Sequence, residues 1–141
     1  MKIFLGTVTT GYGMATPNLN PVMSLIANRM GLPRLVPGTL NVALPEDYIV
    51  PADALILPHE YPYNEQSHLG ESIKLKRCLV SGYRAIAVRP DSHEIGSGQF
   101  HGKAYLELMG QIHFRSLLGL QDGSVVEVQV EGDDLWWDSG K

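Results

Sequence analysis

Thr39 and Asn41 are the two residues of this chain best suited, by type and spacing, to hold a hard cation. In an extended segment, positions two apart face the same side with α-carbons about 6.5–7 Å apart, so a hydroxyl and a carboxamide oxygen converge on one object. Such oxygens suit Mg²⁺, which keeps several waters and takes its other ligands from the protein and from substrate phosphates. The same pair equally well hydrogen-bonds a neighbouring turn, and spacing alone leaves both readings open. A second constellation is Gly11-Tyr12-Gly13-Met14-Ala15-Thr16, between a strand pattern and a helix pattern. Glycines there let backbone amides approach phosphate oxygens closely, although a plain strand-to-helix turn has the same composition. It is neither a full G-x-G-x-x-G fingerprint nor a P-loop with its lysine. The third candidate is Glu107, on what reads as the exposed face of a strand. There a carboxylate either accepts a proton or hydrogen bond from a substrate hydroxyl or is simply solvated. The five histidines are scattered without metal-ligand spacing, and no G-x-S-x-G elbow occurs.

The elements that must position these residues follow from periodicity. Residues 2–9 read as a strand buried on both faces or closing a barrel, with Ile3 and Leu5 opposing Phe4 and Val8. A helix follows, with Asn20 as cap, Pro21 at the first position, and Val22, Leu25, Ile26 and Met30 at helical spacing. Pro37-Gly38 signals a turn into a strand over 39–44, in which Leu40, Val42 and Leu44 face one way and Thr39 and Asn41 the other. Residues 45–70 hold four prolines and predict an irregular lid, binding loop or mobile segment, with at most a helical turn near 52–57. Two strands over 71–80 and 83–89 flank Ser81-Gly82, a two-residue hairpin signal. Residues 103–109 alternate, Leu106 and Leu108 opposing Tyr105 and Glu107, and predict a strand with one wet or ligand-facing side. A helical turn over 112–118 ends at Gly119, and a last strand over 124–131 turns Val126, Val128 and Val130 inward. Six strand patterns without βαβ alternation predict a mainly β protein, a closed antiparallel barrel with short helices.

Bulk properties narrow the function classes. At 141 residues the chain suits one domain with its own core, over residues 1–141. A net charge of −4 argues against neutralising many nucleic-acid phosphates, while a small anion held by local geometry is allowed. No run approaches the ~18 apolar residues of a membrane span, and the apolar stretch over 1–6 is too short for a secretion signal. Cys78 is alone, reads as a small buried hydrophobe, and fits a reducing, cytoplasmic setting. Trp136-Trp137 reads as a packing plug.

Taken in order, these features resemble one family. Gly6-Thr7-Val8-Thr9-Thr10-Gly11-Tyr12-Gly13-Met14-Ala15, a helix, Pro37-Gly38-Thr39-Leu40-Asn41-Val42, Tyr105-Leu106-Glu107-Leu108 and Arg115-Ser116-Leu117-Leu118-Gly119-Leu120-Gln121-Asp122-Gly123 are similar to the CTP-dependent riboflavin kinases known mainly from archaea. The likeness covers about residues 6–44 and 89–130. It implies a six-stranded cradle-loop barrel, of the riboflavin-kinase and swapped-hairpin type, that moves the terminal phosphate of CTP to the ribityl 5′-hydroxyl of riboflavin to give FMN. By position it implies that Gly11, Tyr12, Gly13, Met14, Ala15 and Thr16 hold nucleotide phosphates and that Ile112, His113, Phe114 and Arg115 contact the nucleotide. It also implies that Thr39 and Asn41 hold Mg²⁺, that Gln99 and Glu107 meet the flavin, and that Glu107 orients or deprotonates the attacking hydroxyl. The partners are then riboflavin and CTP, with no nucleic acid or membrane. Met14 and Thr16-Pro17-Asn18 stand where family members often carry an acidic residue and an aromatic, which keeps a non-catalytic flavin- or nucleotide-binding relative as the other reading.

Overall fold

A computed structural model describes residues 2–9, 23–36, 38–60, 72–90 and 104–131. The described elements, in chain order, are β1 (Lys2–Thr9), α1 (Met23–Arg29), β2 (Leu40–Ala43), β3 (Ala54–Ile56), a 3₁₀ turn (Pro58–Glu60), β4 (Ile73–Val80), β5 (Tyr83–Pro90), β6 (Tyr105–Gly110), α2 (Phe114–Leu118) and β7 (Val125–Glu131). The glycine loop at 11–16, Asn20, Pro21, Gln99 and Trp136-Trp137 lie outside the described residues.

Period-two alternation explains why the strands close. Phe4 and Val8 of β1, Leu40 and Val42 of β2, Leu106 and Leu108 of β6, and Val126, Val128 and Val130 of β7 all turn to one side and form a single buried cluster. Hiding that side from water requires the sheet to curl on itself. The strands run in the order β4-β5-β6-β2-β1-β7, every pair antiparallel, and β7 returns to β4 through Leu79 opposite Gln129 and Val80 opposite Val128. The expected six-stranded barrel is therefore present, with β3 lying outside it. β3 pairs with the first part of β4, opposite Ile73, Lys74 and Leu75, while β7 takes the last part of the same edge. This corrects the reading of residues 52–57, where a strand replaces the helical turn. Three residues between Pro51 and Pro58 are too few for a strand pattern to register in sequence.

A second apolar cluster covers part of the barrel's outside. Ile26, Ala27 and Met30 recur at helical spacing and put one face of α1 and the turn after it against Ile73, Leu75, Ile86, Val88 and Met109. The expected strand buried on both faces is not β1, because its outward Leu5 is 66% exposed and Ile3 is exposed as well. The doubly covered strands are β4, β5 and β6, which lie under α1. Among the described residues, no helix is long and apolar enough to cross a membrane.

One turn and one close approach follow from residue chemistry. Ser81 and Gly82 both have positive φ, 48° and 84°, the pairing a two-residue hairpin needs to match the strand twist. Gly6 has another role, because it faces β2 with no room for a side chain. A Cβ at Gly6 would stand 2.2 Å from Val42 Cγ1 and 3.2 Å from the Ala43 carbonyl oxygen. Gly6→Ala is therefore expected to destabilise the fold by roughly 1–3 kcal/mol in urea unfolding, with part of the loss recovered when Val42→Ala is added. A Gly6→Ala protein of unchanged stability would contradict this close approach.

Candidate functional site

The site is built where β2 begins and β6 ends. A hollow of about 30 Å³ is lined by residues 38–40 on one side and by Leu108, Gly110 and residues 112–115 on the other. That is room for one or two waters, or for a single group of a larger ligand. The structure thus brings Thr39 together with Ile112, His113, Phe114 and Arg115, four candidates from the other half of the chain. The path is local at both ends. Val36 N–H donates to the Gly110 carbonyl at 2.8 Å, which fastens the chain entering the Gly38 turn to the end of β6.

The four residues at 112–115 do different things. His113 caps α2, its Nδ1 accepting from the Ser116 N–H at 3.3 Å and lying 2.9 Å from Ser116 Oγ. Phe114 is buried in the barrel core, and its ring packs so tightly on Gly110 that a Cβ there would sit 2.6 Å from the ring edge. Its side chain is thus a plug, and what it offers the hollow is one wall. Ile112 packs partly against the same core. Arg115 Nη2 donates to the Thr9 carbonyl at 3.1 Å and to Asp122 Oδ1 at 2.6 Å. Because Thr9 ends β1, this guanidinium also sits at the root of the segment that carries Gly11-Tyr12-Gly13.

Asn41 lies one strand repeat beyond Thr39. Its register partners are Thr9 on β1 and Glu107 on β6, and directly opposed residues of an antiparallel pair project to the same face. Thr9, Asn41 and Glu107 therefore form a row across three strands on the outer face of the barrel. Asn41 Oδ1 is buried and has no hydrogen-bond partner, and the same holds for Thr9 Oγ1. An acceptor buried without a donor costs about 1–3 kcal/mol. A cation that prefers oxygen ligands would relieve it, so the Asn41 carboxamide fits a site for a hard divalent ion. Among the described residues there is no cluster of three or more His, Cys, Asp or Glu that could hold a metal.

Glu107 differs from its sequence reading. Its strand face is not wet, and the residue is only 7% exposed. On that face Met109 belongs to the cluster under α1, and Val88 stands opposite Glu107 on β5. Burial pushes the carboxyl up to about 7, and the positive charge of Arg89 offsets part of the rise. Arg89 itself is 1% exposed, with Nη1 donating to the Tyr48 carbonyl at 2.8 Å and Nη2 to the Tyr105 carbonyl at 2.7 Å. Sequence reasoning missed Arg89 and Thr9. Arg89 had a signal, a lone charge at an inward position after Ala85 and Ala87. Thr9 had none, because its significance lies in which residue it faces.

Comparison with known proteins bears on the same residues. The family model CTP-dep_RFKase, described as a domain of unknown function, DUF120, matches residues 8–130. A search of curated proteins gives no match. The matched span opens at the end of β1 and closes in β7, so it takes in the other barrel strands together with Thr39, Asn41, Glu107 and residues 112–115. With this much of the chain matched, and with the barrel that the sequence motifs implied, the chain belongs to the CTP-dependent riboflavin kinase family.

Proposed function

We propose that this protein transfers the terminal phosphate of CTP to the ribityl 5′-hydroxyl of riboflavin, giving FMN and CDP. The observation that carries this reading is one hollow that joins Thr39 to residues 112–115, with Asn41 two residues on from Thr39 and opposite Glu107. Phosphoryl transfer asks a protein mainly for alignment and charge neutralisation, so no covalent nucleophile is required. Mg²⁺ would be held by Thr39 Oγ1 and Asn41 Oδ1, and when bound it supplies neutralisation of phosphate charge. Backbone amides of Gly11-Tyr12-Gly13-Met14-Ala15-Thr16 would cradle the phosphates. Arg115 and the backbone around it would contact the nucleotide, and Gln99 the flavin.

Glu107 has the chemistry of the base. As the ribityl oxygen attacks the γ-phosphorus, its proton passes to the Glu107 carboxylate, the bond from that phosphorus to the bridging oxygen breaks, and CDP leaves. A carboxyl raised to about 7 is a stronger proton acceptor than an exposed one. The sign of the pH dependence follows, because the base works only when ionised. The kcat/KM for riboflavin is expected to rise between pH 6 and 8 and to level off above the Glu107 pKa. Glu107→Gln should lower turnover roughly 10²–10⁴-fold and remove that rise. A Gln variant with the wild-type profile would show that Glu107 only orients the flavin.

The decisive experiment is incubation with riboflavin, Mg²⁺ and each of CTP, ATP, GTP and UTP, with FMN detected by chromatography. FMN with CTP is the expected product, and no FMN with any of the four rejects the kinase reading. Thermal stabilisation by riboflavin without turnover would instead identify a non-catalytic relative, since a ligand at 100 times its Kd adds about 2.7 kcal/mol. Asn41→Ala is expected to abolish Mg²⁺-dependent turnover while circular dichroism and cooperative unfolding stay those of a folded barrel.

A further inference from the structure

Thr9 is the last residue of β1, opposite Asn41, and its hydroxyl oxygen is buried with no partner. A threonine hydroxyl ordinarily satisfies itself on a nearby carbonyl. Thr9's own carbonyl accepts from Arg115, and the hydroxyl faces the unpartnered Asn41 Oδ1 side of the strand pair. Thr7, on the same face of β1, is exposed. Thr9 by contrast is half-buried, and its hydroxyl oxygen is shielded from solvent. Valine has the same shape and would fill the position without an orphaned hydroxyl, so the oxygen lowers the stability of the unliganded barrel unless a ligand engages it.

We propose that the Thr9 hydroxyl is a third protein oxygen of the divalent-cation site formed by Thr39 and Asn41, an assignment that rests on the cation reading above. Two orphaned oxygens on directly paired residues share one need, and a hydrated hard cation meets both. The Asn41 carboxamide supplies a ligand oxygen, and the Thr9 hydroxyl takes either the ion or one of its coordinated waters. Thr9 also joins the cation to the phosphate loop in a covalent sense, because the chain runs from Thr9 through Thr10 into Gly11. A cation held there would fix the root of that loop while the loop's amides hold the polyanion.

The test uses the full chain and Mn²⁺ alone as a paramagnetic substitute for Mg²⁺, with free Mn²⁺ followed by electron paramagnetic resonance. Thr9→Val, Thr9→Ser and Asn41→Ala are titrated beside the wild type, and each is melted without metal. Thr9→Val is expected to weaken Mn²⁺ binding roughly tenfold or more. Thr9→Ser, which keeps the hydroxyl, should stay close to the wild type. Without metal, Thr9→Val should melt at or above the wild-type temperature, which a merely structural hydroxyl would not allow. Wild-type Mn²⁺ affinity in Thr9→Val, with loss in Asn41→Ala, overturns the role of Thr9 and leaves the cation site standing. A lowered melting temperature in metal-free Thr9→Val also overturns it. Unchanged binding in Asn41→Ala, or no Mn²⁺ binding by the wild type, removes the cation reading itself and this assignment with it.

Discussion

β2 is four residues long, with β1 on one edge and β6 on the other. Its register against those two strands is the constraint on which barrel and site both depend. Leu40 and Val42 turn inward, and each fully buried aliphatic side chain contributes about 1.5–3 kcal/mol. A slip of one residue would expose both and drive Asn41 into an apolar interior. The penalty for that slip keeps Thr9, Asn41 and Glu107 in one row. No contact within the row is needed to align it, because the hydrophobic alternation that closes the barrel already does so. Gly6 completes the arrangement by leaving room for Val42, so β1 lies close enough to β2 for Thr9 to stand beside Asn41.

What could be read in the sequence was whatever obeyed a short period or a strong turn signal. The β4–β5 hairpin, the inward valines of β7 and the Thr39–Asn41 alternation are of this kind, since each depends only on neighbours in the chain. β3 escaped because its three residues make sense only against β4. Glu107 was assigned to a strand correctly but to a wet face wrongly. Alternation shows which residues share a face and is silent on what covers it, and here α1, packed from eighty positions earlier in the chain, closes over the end of that face at Met109. The hollow itself was legible only in parts. Thr39 and residues 112–115 each carried a motif, but their meeting depends on the path of β6 and on the bond from Val36 to Gly110.

Electrostatics divide along the barrel wall. Arg89 is buried and donates to two backbone carbonyls, so its charge is met in part by backbone dipoles. Glu107, on the opposite face of the neighbouring strand, feels that charge as a partial offset to its own desolvation. The outcome is a carboxyl near neutrality rather than a firmly ionised one. Such a group can change protonation within the neutral range, which an exposed glutamate cannot, and the balance is set by two residues whose backbones lie in adjacent strands.

Arg115 braces the fold and also lines the hollow beside Thr39. Its hydrogen bonds to the Thr9 carbonyl and to Asp122 both use Nη2. A guanidinium carries five N–H groups, so a brace made by one nitrogen leaves donors for a phosphate or a base. Its backbone is fixed as well, because α2 is capped by His113 at one end and by Gly119 at the other, and the Gly119 N–H donates to the Arg115 carbonyl. A short helix held at both ends is a rigid mount, and the end of β1 is tied to it through Arg115. The glycine segment that leaves β1 therefore starts from a fixed point. That origin is held in register with Asn41 by the same pairing that places Thr9 opposite it.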